Sequence, residues 1–538
     1  TALYRRTGAD VSRLRDVLES EGYYDATVDS EIVGEGKDAI VKISVVPGAR
    51  YLVADLQLTF GTEEILPSLA RITSSKRFAR PLARMRGRAA RAQDVIMAEE
   101  NGLAVLRDNG FPRAMRGDRD LRIDHEAHTI AVTLPVKLGP EAVFGSLHIT
   151  GLEHLRESFV TGFVPWKAGE RFDYSRLDKL RSKLVDSGLF GMVKVAPSKS
   201  IGPDGKTLNV DVEVKEGSRR TISVAGQYDR DKGLGGTVSW THRNLLGGGE
   251  KLDLTADANK LDQTVGAALT KPHFLRPDQT LKTHIIGKHS DTDAFREWSG
   301  TIGAKVEREL PQDWIVGAGV ELEVADLEQE GISHRSYLVG LPITAIKSDP
   351  LKLLDQTRGW RFNGAITPYV GNFDKAVKFL KNEVEADVYV PVGERARTVF
   401  AGRLKLGSIV GAAMNDIPAN KRFYGGGGGS IRGFGYQKVG PYDPVTGTPT
   451  GGRSLLEAGL EARFKITDTI GIVPFIDAGG VSESSMPMKG ARLAVGAGIG
   501  ARYYTGIGPL RVDVAFPVNP QRGRDDKFQF YISFGQAF

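Results

Sequence analysis

The twelve residues from Lys527 to Phe538 alternate so cleanly that they restrict the architecture of the whole second half of the chain. Phe528, Phe530, Ile532, Phe534 and Phe538 fall on one face of an extended strand. Gln529, Tyr531, Ser533, Gly535 and Ala537 fall on the other. Successive strand side chains point to opposite faces, so one face is greasy and the other small or polar. Similar candidates begin near Arg219, Gly233, Glu250, Gln263, Thr280, Arg296, Trp314, Ser336, Trp360, Val377, Thr398, Ser454, Gly471, Arg492, Gly508 and Lys527. About sixteen strands over about 320 residues allow about twenty residues per strand and turn, which suits an antiparallel transmembrane barrel. Its apolar faces meet lipid and its other faces line a wet lumen. Leu510, Val512, Val514 and Phe516 are expected outward, with Arg511 and Asp513 inward; Leu456, Ala458, Leu460 and Phe464 outward, with Glu457, Glu461 and Arg463 inward. A charge facing lipid at mid-depth costs about 2–4 kcal/mol, which fixes that choice.

Composition agrees. The 538 residues contain no cysteine, so neither a disulfide framework nor a thiolate metal site is possible. No apolar run is long enough for a membrane-spanning helix. No secretory signal opens the chain, which reads as a mature or trimmed form. Net charge is +6, and a basic cluster runs through Arg77, Arg80, Arg84, Arg86, Arg88 and Arg91. Its one aromatic, Phe78, makes no interleaved stacking series, so it reads as a solvated helix face, with docking of anionic lipid or a partner as the lesser option, and nucleic acid is not an expected partner.

Before residue 217 helical and strand patterns alternate. Three times a helix is followed by Gly and an aromatic, then two strands: Glu21-Gly22-Tyr23, Asn109-Gly110-Phe111 and Ser187-Gly188-Leu189-Phe190. The Gly suits the position just past a helix end, and the aromatic can pin the turn to the core. Three α+β modules are expected, at 1–48 (with its first strand missing), 49–139 and 140–217, followed by a barrel over 218–538. The order βααββ resembles POTRA domains, periplasmic modules that bind extended chains by strand addition.

The longest strand-free stretch runs roughly from Ala412 to Arg453, a length that usually signals function. It contains Gly425-Gly426-Gly427-Gly428-Gly429-Ser430-Ile431-Arg432-Gly433-Phe434-Gly435-Tyr436. No Gly-Lys-Ser/Thr follows the glycines, so they are not a phosphate cradle. Two strands on, Phe475-Ile476-Asp477-Ala478-Gly479 puts Asp477 on the lumen face, as alternation puts Glu461. The next strand's lumen face is Ala494, Gly496, Gly498 and Gly500, which leaves room for a loop. The loop is therefore expected to fold inward, with Arg432 pairing with Asp477 and with Glu461 as a second acceptor. Arginine suits that role because its fork binds carboxylates bidentately.

Ile431-Arg432-Gly433-Phe434 resembles the [V/I]-R-G-[F/Y] signature on the sixth extracellular loop of the superfamily containing BamA, TamA and the TpsB transporters. Phe475-Ile476-Asp477-Ala478-Gly479 is similar to its F-x-D-x-G strand motif, and Glu461 lies where members carry an acidic residue. Within the superfamily, three modules and the phrase from Gly429 to Tyr436 followed by Gly440-Pro441 are similar to the TamA branch. The resemblance implies an outer-membrane protein of a Gram-negative bacterium with its modules in the periplasm. It implies unfolded outer-membrane clients, autotransporters especially, a TamB-like periplasm-spanning partner, and outer-membrane lipids.

Three functions compete. In the first, a client strand adds at a lateral seam between the first and last barrel strands. Ile222, Val224 and Gly226 are expected on one side of that seam, and Phe530, Phe534 and Phe538 on the other. The second is export of a dedicated partner through the lumen; its usual plug helix and Pro-rich linker are not seen. The third is an enzyme. His125 and His128 are three apart on a strand or turn, His148 and His154 are no better placed, and no HExxH or nucleophile elbow occurs. The expectation is no catalytic residue, no metal and no cofactor.

Overall fold

The computed structural model describes residues 2–34, 39–61, 66–349, 355–393, 396–506 and 508–538. They form two compact units, one of residues 1–153 with 163–217, the other of 154–162 with 218–538.

In the first unit the same small topology occurs twice. Leu52–Phe60 runs parallel to Thr129–Lys137, which pairs antiparallel with Asp120–Asp124. Val143–Thr150 runs parallel to Thr207–Glu216, which pairs antiparallel with Phe190–Ile201. Helices Ala92–Arg107 and Tyr174–Asp186 pack on these sheets through Leu103 and Leu106, and through Leu177, Leu180 and Leu184. Ahead of them lie a helix, Ala2–Ser20, and a two-stranded ladder of Thr27–Val33 with Ile40–Val46. The glycine after each long helix turns left-handed: Gly22 (φ 94), Gly110 (φ 98) and Gly188 (φ 66). The next residue's N–H then reaches back, Tyr23 to the Leu18 carbonyl and Phe111 to that of Leu106, a helix stop that glycine adopts without strain. Of the basic stretch only Arg77 and Arg80 lie on a helix, Lys76–Ala83; Arg84, Arg86, Arg88 and Arg91 follow it in a turn and link to the next helix, so the expected helix face covers just two of the six. That helix is capped by Ser75 Oγ accepting from the Phe78 N–H (3.3 Å), buries Phe78, and leaves its arginines exposed.

The second unit is a closed antiparallel barrel. Among the described residues its wall has seventeen hydrogen-bonded segments, from Arg220–Asp229 to Gln529–Phe534. Two of them, Ile332–Gly340 and Ile343–Ser348, are one strand. Both pair with Trp314–Gln329 and Gly359–Phe373 in unbroken register. The ladder lapses at Leu341-Pro342 because proline has no N–H to give. The Pro342 carbonyl still accepts from Gly319 (3.0 Å), and Leu341 donates to Pro368 (2.9 Å). The wall is thus sixteen strands, and the eighth begins at Ile332, ahead of the Ser336 expected. Facing follows alternation: Leu460 and Phe464 are exposed, while Glu457, Glu461 and Arg463 are buried inside. The short helix Glu157–Thr161 belongs to this unit, and the Arg156 N–H donates to the Gly247 carbonyl at a barrel turn (2.8 Å).

One facing expectation is corrected. The last strand stops at Phe534, and Gly535 is left-handed (φ 91). Residues 535–538 leave the wall and turn into the lumen. Phe538 packs beside Tyr389, Val399 and Ala401, and its carbonyl accepts from Arg463 (2.9 Å). Phe538 therefore faces neither lipid nor the seam. Parity of spacing predicted the opposite, because alternation assumes extended backbone and a positive-φ residue breaks it.

Candidate functional site: the inward loop and the barrel seam

Residues 412–453, between the eleventh strand (Thr398–Val410) and the twelfth (Ser454–Lys465), fold into the barrel on two anchors. The first is Asn420-Lys421-Arg422. Lys421 Nζ lies 2.5 Å from Glu323 on the seventh strand (Trp314–Gln329). The Asn420 amide donates to Glu297 (2.9 Å) and Glu323 (3.0 Å). Arg422 reaches Gln329 and the carbonyls of Ile417 and Thr450.

The second anchor is the tip. Arg432 is 2% exposed. Its Nε donates to Asp477 Oδ2 (2.7 Å) and Nη2 to Asp477 Oδ1 (3.0 Å), a two-point fork, and its backbone N–H adds a third bond to Oδ2 (3.1 Å). Nη1 reaches Glu461 (2.7 Å) and Asp513 (3.3 Å). The guanidinium carbon lies 3.5 Å from the centre of the Phe475 ring, a stacked cation that supplements the ion pairs. The carboxylates are shared in turn. Glu461 also accepts from Arg463 (2.8 Å), and Asp513 from Arg502 (2.5 Å). Alternating charges of this kind compensate one another's desolvation; a lone buried ion could not.

Small residues make the space. A Cβ on Gly496 would strike the Arg432 carbonyl, and one on Gly479 would lie 2.9 Å from Ile431 Cδ1. Gly433 is left-handed (φ 98), and a Cβ there would meet the Phe516 backbone at 2.9 Å. Ile431 and Phe434 are buried together with Val439 and Ala494. Ser430 hydrogen-bonds Glu457. Alternation places Asp513 and Tyr531 inward but does not mark either as a partner of the loop, and it singles out neither Arg502 nor the Lys421–Glu323 anchor. Inward-facing charge on neighbouring strands was the available signal.

The seam is where the first strand (Arg220–Asp229) meets the last (Gln529–Phe534). Only Tyr228↔Ile532 and Asp229↔Tyr531 pair across it among the described residues. The fifteenth and sixteenth strands share six pairs, and the sixth and seventh share fifteen. Ile222 and Val224 are exposed outward, and Gly226 has open space about it. Phe530 lies half-buried and Phe534 exposed on the outer face, whereas Phe538 is withdrawn into the lumen.

His125 and His128 gather around Asp25 and Tyr51 in the first unit. His125 Nδ1 is 2.7 Å from Asp25 Oδ1, and the Tyr51 hydroxyl donates to Asp25 Oδ2 (2.7 Å). Hydrogen bonds from Tyr51 and His125 hold the Asp25 carboxyl below its usual range. Among the described residues no cluster of three or more His, Asp or Glu could hold a metal.

Residues 244–538 match the Omp85 superfamily domain, and residues 142–217 match the POTRA family, described as a surface antigen variable number repeat. The chain belongs to the Omp85 superfamily. This Omp85 chain is 25% identical to the outer membrane protein assembly factor BamA of Nitratidesulfovibrio vulgaris, over 96% of its own length and 66% of that relative's. It therefore spans just under two thirds of that protein. It is 21% identical to BamA of Neisseria meningitidis serogroup B, over 98% of itself and 72% of the relative. Its fold is similar to the crystal structure of BamA from Haemophilus ducreyi lacking POTRA domains 1–3 (TM-score 0.68, 18% identity, 90% of this chain and 100% of that one). It also resembles CdiB from Acinetobacter baumannii (TM-score 0.52, 13% identity, 99% and 98%). The Omp85 barrel, the POTRA region and the bacterial BamA relatives together make this an outer-membrane protein of a Gram-negative bacterium, with its POTRA region in the periplasm.

Proposed function

We propose that this protein inserts and folds other outer-membrane proteins, β-barrels or autotransporters, by letting a client strand add to the barrel at the seam. The observation that carries the reading is the two-pair closure between the first and last strands. Unpaired backbone groups in lipid cost several kcal/mol each, so a fully laddered barrel resists opening and a short seam does not. An incoming strand would satisfy the free edge of Arg220–Gln227. The reaction then needs no catalytic residue, because backbone hydrogen bonds supply the driving force. The modules at about 1–48, 49–139 and 140–217 would hold extended client segments at their sheet edges. The similarity of the Gly429–Tyr436 phrase to the TamA branch supports autotransporters among the clients and a TamB-like periplasmic partner, with lipid transfer through such a partner as a related role.

A covalent staple tests this reading. The chain has no cysteine, so an engineered pair is unambiguous. Ser223 would face residue 537 if the observed register were extended, and residues 535–538 leave the wall, so it is a poor site. Tyr228→Cys with Ile532→Cys uses a pair that exists, and paired antiparallel residues have Cα atoms about 4.5–5.5 Å apart, within disulfide range. The oxidised protein is expected to stop inserting a client barrel into liposomes, and reductant to restore it. Undiminished insertion with the staple closed rejects the seam and favours export through the lumen.

A further inference from the structure

The inward loop touches both sides of the seam within four residues. On the last strand, the Tyr531 hydroxyl accepts from the Gly433 N–H at 3.4 Å. On the first hairpin, the Tyr436 N–H donates to Asp231 Oδ2 at 2.6 Å, and Lys232 Nζ sits 3.9 Å from the centre of the Tyr436 ring. Asp231 and Lys232 form the turn directly after the first strand. Their neighbour Arg230 crosses the seam itself, donating to the Phe528 carbonyl (2.7 Å) and approaching Asp526 (3.4 Å).

These contacts all lie at the end of the seam where the two paired residues are; the free edge, Arg220–Gln227, lies at the other. Two backbone pairs alone are a weak closure. A tip fixed in the wall by Arg432 is a rigid post, and Tyr436 is four residues along from it. Anything that moves the tip pulls on the turn after the first strand, and anything that spreads the strands pulls on the tip.

We infer that segment Gly433–Tyr436 of the inward loop is the latch of the seam, with Tyr436 and Asp231 as the positioning residues that couple loop movement to seam opening. The inference rests on the seam reading above and deepens it. Its test needs no client, so the two can fail separately.

Nitroxide labels on Lys260→Cys and Arg522→Cys report the width of the seam from either side, both positions being exposed. Labels on Met486→Cys and Arg522→Cys lie on one side and serve as control. In the full chain in liposomes, Asp231→Ala removes the acceptor of the Tyr436 N–H and Tyr436→Ala removes the ring under Lys232; each is expected to raise the long-distance population of the seam pair about fivefold, the size of one hydrogen bond or one cation–ring contact. The control pair stays unchanged. Tyr436→Phe keeps the amide and the ring, so it should match the parent. If Asp231→Ala does not fold, Tyr436→Leu decides, since it keeps the bulk and loses the ring under Lys232. An unchanged seam distribution in folded Tyr436→Ala overturns the latch, as does equal broadening of the control pair.

Discussion

Arg432 is held by five hydrogen bonds to three carboxylates on three different strands. Removing it leaves Asp477, Glu461 and Asp513 facing one another with fewer cations between them. Breaking a buried pair in this way costs about 3–5 kcal/mol. Arg432→Ala is therefore expected to lower the temperature at which the folded barrel loses its compact gel mobility, and to impair client insertion. Arg432→Lys restores charge without the fork, so it should recover only part of the loss. Parent-like behaviour of Arg432→Ala in both assays would mean that the network adds nothing to either. Asp477 and Glu461 were legible as partners because a single Arg interrupts a glycine run and the two carboxylates fall on lumen parity. Asp513 was harder to see. It lies two strands beyond Asp477, and spacing along a strand says nothing about how far a guanidinium reaches across the wall.

At the scale of the loop, glycine is a steric requirement at particular places. Gly496 lies on the fourteenth strand (Ala494–Thr505), and its missing side chain is where the Arg432 carbonyl sits. Gly429, in the loop itself, has nothing within 4 Å. Gly496→Ala should thus push the tip out of its seat while Gly429→Ala leaves it there. Trypsin added outside intact cells reads the difference: cleavage after Arg432 is expected in the first variant and not in the second. Equal resistance would show that the wall yields instead. The same contrast explains what patterns revealed and what they hid. The strands of the wall were legible since each has a polar and an apolar face that alternate over many residues. The turn of residues 535–538 was not, because one left-handed glycine outweighs the parity of its neighbours and looks like any other Gly in a strand. The Lys421–Glu323 anchor was hidden too, since the partners are nearly a hundred positions apart on opposite limbs of the chain.

Across the barrel as a whole, strand number and facing followed from the sequence, but the strength of each joint did not. Side-chain alternation fixes which face meets lipid; it carries no information about how many backbone pairs close the ring. That number is small at one joint, and it has a consequence in time as well as in space. Along the first strand, every second amide points toward the second strand and the others toward the seam. Next to Ile532 and Tyr531 those others have partners; over Arg220–Gln227 no strand pairs with them on the seam side among the described residues. When the protein is moved into heavy water in detergent micelles, this strand should not exchange as a block. Alternate amides between residues 220 and 227 should be lost at once and the intervening ones kept for as long as the rest of the wall, a comb pattern that uniform protection would contradict. The protein would then carry, in the resting state, a half-written strand whose missing half is supplied by whatever chain arrives.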